Sequence, residues 1–153
     1  MTDTDGVSTL STWIEARPDA VFGLRHRIDH WLDDRGVRAG RRHDIVLAAD
    51  EAITNAIEHG YPTTHRVAIA LHLTADTITF TVTSIGTWKW PDADIGRTHG
   101  WGLHLIDTCA DHVDIQQVHD AVVLTARFAR NPAPPTPSTT TEARPVADLD
   151  PGR

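Results

Sequence analysis

The chain is predicted to fold as one α+β domain: a two-layer sandwich whose mostly antiparallel sheet is covered on one face by helices. Three observations lead there. Along the 153 residues, the apolar pattern runs strand, helix, helix, two strands, a glycine-punctuated loop, helix, two strands. Strands that follow one another directly favour antiparallel pairing. Those strands also alternate apolar with polar residues, so one face packs on helices while the other meets water.

A weak strand is expected over residues 7–14 (VSTLSTWI), and residues 1–14 read as an N-terminal segment with a candidate edge strand. Residues 15–130 form the domain. The first helix opens at Pro18 and Asp19 and stops at Gly36, with Val21, Leu24, Ile28, Trp31 and Leu32 on one stripe. Arg25 projects between Leu32 and Phe22, at the edge of that stripe. It either lays its stem along the apolar surface with its head in water, or belongs to a surface that meets another protein. A second helix is expected over 43–59, with Ile45, Val46, Ala49, Ala52, Ile53, Ala56 and Ile57 in one arc. Asp44, Glu51, Asn55 and Glu58 lie opposite, Glu51 and Asn55 being four apart and therefore neighbours. Gly60 and Pro62 end it.

Two alternating strands follow, VAIALHL and TITFTVT, joined by a TADT turn. Residues 84–102 contain Gly86, Pro91, Gly96, Gly100 and Gly102, a loop long enough to suggest function. LHLIDTCA then reads as a short helix, and HVDIQQV with AVVLTARF as a closing hairpin. The tail, 131–153, is rich in Pro and Thr and nearly free of bulky apolar side chains, so it is expected to be disordered.

Composition narrows the function. A formal net charge of -7 argues against a general nucleic-acid or anionic-membrane surface, leaving only a local basic pair at Arg41 and Arg42. The single cysteine, Cys109, permits no internal disulfide. The first residues are polar and acidic, unlike a signal peptide, and no apolar run approaches the roughly 20 residues that span a bilayer. A cytoplasmic protein with no membrane or direct nucleic-acid partner is expected. The ten histidines are scattered, without metal-ligand spacing, so no dedicated zinc site is expected.

The chemistry gathers around ADEAITNAIEHGYP, residues 49–62. An Asn carbonyl oxygen suits a hard divalent cation bound to phosphates, and a carboxylate one turn away can take a proton from an attacking hydroxyl. Glycines ahead of a helix let its N-terminus receive a phosphate. Each signal is short. As an ordered set they are specific.

DEAITNAIEHGY resembles the N-box of the histidine kinase-like (GHKL) ATPases, the superfamily of gyrase and the histidine kinases built on the Bergerat ATP-binding fold. Its NAxxHGY ending is most similar to the anti-sigma factor serine/threonine kinases. SIGTW (84–88) and RTHGWGLHLI (97–106) stand where that family has its two glycine boxes. The resemblance covers roughly residues 15–129. It implies ATP and Mg²⁺ as cofactors, Glu51 as catalytic base and Asn55 as the metal ligand. It implies nucleotide binding by Ser84, Gly86, Arg97, Thr98, Gly100, Gly102 and Leu103, the later glycines letting a lid close on the phosphates. It makes Arg25 a contact for both a sigma factor and an anti-anti-sigma (STAS-domain) protein, whose serine or threonine would be the substrate. Phosphorylation would add charge at that interface and break the complex. A homodimer is left open. No helical hairpin with a phospho-acceptor histidine is expected ahead of the domain, which sets a sensor-kinase reading aside.

One departure bears on activity. Ser84 stands where the family has an Asp that accepts a hydrogen bond from the adenine amino group. Hydrogen bonds to charged groups contribute about 1.5–3 kcal/mol and neutral ones about 0.5–1.5. The difference, about 1 kcal/mol, weakens ATP binding several-fold to about tenfold. The alternative function is therefore a non-catalytic binding module on the same fold. Trp88, Trp90 and Trp101 flank the lid segment and are expected to serve packing rather than stacking on a ligand.

Overall fold

The computed structural model describes residues 3–4, 6–59, 66–85 and 101–131. Their order is β1 (Asp3–Thr4), β2 (Val7–Glu15), α1 (Pro18–Asp33), α2 (Ala39–His59), β3 (Arg66–Leu73), β4 (Thr77–Ile85), α3 (Trp101–Cys109), β5 (His112–Val118) and β6 (Ala121–Ala129). The strands form one antiparallel sheet in the order β1-β2-β3-β4-β6-β5, with the helices on one face. The expected two-layer α+β architecture is the observed one. The tail beyond Asn131 lies outside the described residues, as do Gly60, Pro62, Trp88, Trp90 and the side chain of Trp101.

Alternation decides which sheet face is buried. Val67, Ile69, Leu71 and Leu73 pair in register with Ser84, Val82, Phe80 and Ile78, and these in turn with Val122, Leu124, Ala126 and Phe128. All of them are buried. The residues between them, among them Thr79, Thr81, Thr83 and Thr125, point to the opposite, uncovered face. β2, expected only as an edge strand, pairs along its length with β3, from Ser8↔Leu73 to Glu15↔Arg66. Only the two-residue β1 lies outside it.

α1 begins with Pro in its first turn, where the missing N–H has no helical partner to lose. Its five predicted stripe residues are all buried. Gly36, at φ 71, takes the left-handed turn that closes the helix, and the Val37 N–H then donates to the Leu32 carbonyl at 3.1 Å.

α2 starts at Ala39, four residues earlier than periodicity suggests. The extra turn is held by tertiary partners. The Arg42 side chain donates to Asp29, Asp33 and the Val37 carbonyl. Arg41, 7% exposed, donates to Asp111 and to the Cys109 carbonyl and pairs with Asp44. The two arginines are thus taken up by internal acceptors rather than forming a basic patch. α3 likewise starts early, at Trp101, so Gly102 sits in its first turn instead of ahead of it.

None of the described helices is long and apolar enough to cross a membrane. Phe80 is fully buried between Leu71 and Ala126 at the centre of the sheet. Phe80→Ala should destabilise the fold by about 3–5 kcal/mol, seen as a lower urea midpoint with an unchanged slope.

Candidate functional site

α2 is the middle helix of the layer. Ile45, Ala48, Ala49, Ala52, Ile53 and Ala56 make its buried underside. One flank turns to α1: Val46, Asp50, Thr54 and Ile57 line cavities whose other walls are α1 side chains. The other flank turns to α3. At about 100° per residue, Arg41, Asp44, Ala48, Glu51 and Asn55 form one row. The start of that row touches the end of α3, where Arg41 bonds to the Cys109 carbonyl and to Asp111. Burial, and then the charge of Asp44, push the Cys109 thiol up from its ordinary value, so it stays protonated at neutral pH.

Glu51 and Asn55 therefore lie on the α3 flank of α2, about 40° apart around the helix, and both are half-buried. Thr54 and Glu58 belong instead to the cavity shared with α1. Glu58, three residues past Asn55 on the same row, is exposed and also borders that cavity. Ser84 is buried, 8% exposed. It stands on the helix-covered face of β4 with Val67 and Val122 beside it, in a row that is otherwise apolar. Leu103 is half-buried near the start of α3, next to Gly102. Gly86, Arg97, Thr98 and Gly100 lie outside the described residues.

On the α1 flank, Arg25 is 44% exposed, and its Nη2 donates to Asp50 Oδ2 at 2.6 Å, bridging α1 to α2. The Asp50 hydrogen bond and charge hold the Arg25 guanidinium above its ordinary pKa. One cavity, of about 260 Å³, opens beside Phe22, Thr54, Ile57 and Glu58. A second, of about 330 Å³, opens beside His26, His43 and Val46, and Arg25 lines both. Phe22 is 64% exposed and meets His26 edge-on at 4.7 Å. Sequence reasoning singles out Arg25 but misses Asp50 and Phe22. No spacing rule connects residues 25 and 50, and an exposed aromatic on an amphipathic helix leaves no periodic trace.

A one-sided antiparallel sheet covered by three helices, the middle one carrying Glu51 and Asn55 on one flank, defines an α+β sandwich. Residues 14–128 match the histidine kinase-like ATPase domain, and the chain belongs to that family. It is similar to the serine-protein kinase RsbW of Halalkalibacterium halodurans, with 27% identity over 122 residues, 71% of each chain. A similar fold occurs within a solved structure, that of the RsbU and RsbW domains of Rv1364c from Mycobacterium tuberculosis, matched with a TM-score of 0.61 at 24% identity. That match covers 79% of this chain and 32% of the other.

The corner that fixes the α3 flank makes a stability prediction. Asp111 accepts from both Arg41 and the Ala129 N–H. Asp111→Ala leaves the buried Arg41 short of an acceptor and should cost about 1–3 kcal/mol, measured as a shift in the denaturation midpoint.

Proposed function

We propose that the chain is an ATP-binding anti-sigma factor with serine/threonine protein kinase activity. In this reading it sequesters a sigma factor and phosphorylates an anti-anti-sigma (STAS-domain) antagonist. The observation that carries the reading is the α3 flank of α2. From the Arg41–Cys109 contact, the row advances about 1.5 Å per residue. Glu51 then comes about 15 Å along α2, while the nine residues of α3 span about 13.5 Å. With the helices side by side and opposed, Glu51 would come near the start of α3 and Asn55, about 21 Å along, about one turn beyond it, on the side where the helix's N-terminal N–H groups and dipole favour phosphate.

The residues present suit the implied cofactors. Half-buried Asn55 offers a carbonyl oxygen for Mg²⁺, and Glu51, one turn earlier, is free of an internal ion pair among the described residues. Buried Ser84 is a polar group in an apolar row, available as acceptor for the adenine amino group. ATP, when bound, supplies the phosphoryl group. Glu51 takes the proton from the substrate serine or threonine hydroxyl as its oxygen becomes the nucleophile. Gly86, Arg97, Thr98, Gly100, Gly102 and Leu103 complete the nucleotide contacts and the lid, and Arg25 meets the protein partners.

Ser84 favours a second reading, a binding module with weak or no nucleotide affinity. Two measurements separate them. With ATP, Mg²⁺ and a STAS-domain antagonist, Glu51→Ala should lower phosphotransfer about 10²–10⁴-fold; unchanged transfer rejects Glu51 as the base. Ser84→Asp should tighten ATP binding several-fold to about tenfold. No binding at millimolar nucleotide by either protein supports the module.

A further inference from the structure

The groove between α1 and α2 contains an ion pair of which the kinase reading uses only the arginine. Arg25 and Asp50 form a bar across it, with a cavity on each side. Among the described residues Asp50 is the only partner of Arg25, and it engages Nη2 alone. The Nε and Nη1 donors and the second hydrogen of Nη2 are left for something else. Asp50 is recessed, its side chain 27% exposed against 44% for Arg25, so an approaching protein meets the arginine first.

Resting on the reading of Arg25 as a partner contact, we propose that Asp50 is a positioning residue. It holds Arg25 as the fixed centre of a protein-docking groove, and the docking segment presents a carboxylate to Arg25 beside an apolar side chain seated against Phe22. Three observations select this occupant. Each planar fork of a guanidinium includes Nη2, and with one Nη2 hydrogen on Asp50 the other still pairs with a neighbouring donor to match a carboxylate. Exposed Phe22 and the apolar wall of Val21 and Ile57 offer a seat for a side chain rather than for solvent. An aromatic and an arginine at the middle of one patch are the residue types that dominate interface cores.

Holding matters because a free arginine carries large rotamer freedom that binding must remove. With the guanidinium already tied to Asp50, a partner's acid meets a prepared fork. Were Asp50 instead a competitor for the same donors, its removal would strengthen binding, so the sign of the effect decides.

The test is titration calorimetry of a STAS-domain antagonist against the full chain and its Arg25→Ala, Asp50→Ala and double variants, with melting temperature and ATP affinity as controls. Asp50→Ala should weaken binding about two- to tenfold, the scale of one side chain's immobilisation. It should add no further loss in the Arg25→Ala background, while ATP affinity holds. Tighter binding by Asp50→Ala, or equal losses in both backgrounds, overturns the positioning role and leaves Arg25 as a contact. Full binding by Arg25→Ala overturns both. A second measurement needs no partner: in arginine-labelled protein, NMR should show rotation about the Arg25 Nε–Cζ bond slowed in the wild type and freed by Asp50→Ala. Free rotation in the wild type also overturns the proposal.

Discussion

Helix α2 is packed on three sides, against the sheet below and against α1 and α3 to either side, and small side chains make that packing feasible. Ala48, Ala49, Ala52 and Ala56 form most of its underside, at 1–8% exposure. Bulk comes from below instead, from Phe80 and Phe128, both fully buried. With the helix axis let down close to the sheet, residues at its flanks are lifted into two grooves rather than into the core. A leucine-rich underside would raise the helix and spoil both grooves together. This explains why a helix with alanine and isoleucine as its common residues can also carry so many oxygen-bearing side chains.

The two flanks divide the labour of the domain. Asp50 and Glu51 are adjacent in sequence, yet about 100° of helical rotation separates them. Asp50 faces α1 and binds Arg25, whereas Glu51 faces the side where Arg41 and Asp111 hold the end of α3. Protein recognition and phosphoryl transfer, in the proposed function, then lie on different flanks of one rigid element. A displacement of α2 by a partner in the first groove would move Glu51 and Asn55 with it, since helices transmit motion as rigid bodies more readily than they bend.

Most of the fold could be read from the chain because it rests on local pattern. The stripe Val21, Leu24, Ile28, Trp31 and Leu32, and the alternation of Val67 to Leu73, depend only on helical and strand periods, and each is buried as the period requires. What escaped depends on contacts distant in sequence. The early start of α2 is secured by Arg41 and Arg42 reaching Asp111, Asp29 and Asp33, which no capping residue announces. The early start of α3 places a glycine inside a helix, against its propensity. At the site, Glu51 and Asn55 could be paired from their spacing, and the burial of Ser84 agrees with its place in an apolar alternation. Glu58 follows them on the same row and also borders the α1 cavity, whereas the Arg25–Asp50 bridge could emerge only once two helices were laid side by side.

The central claim is that the α3 flank of α2 holds a metal-bound triphosphate through Asn55 with Glu51 alongside. Calorimetric titration of wild type and Asn55→Ala with ATP, with and without Mg²⁺, addresses it most directly. The expected result is Mg²⁺-dependent binding in the micromolar range that Asn55→Ala abolishes, with the melting temperature of the variant little changed. Equal affinity for the two proteins, or the same heat with and without Mg²⁺, would contradict it.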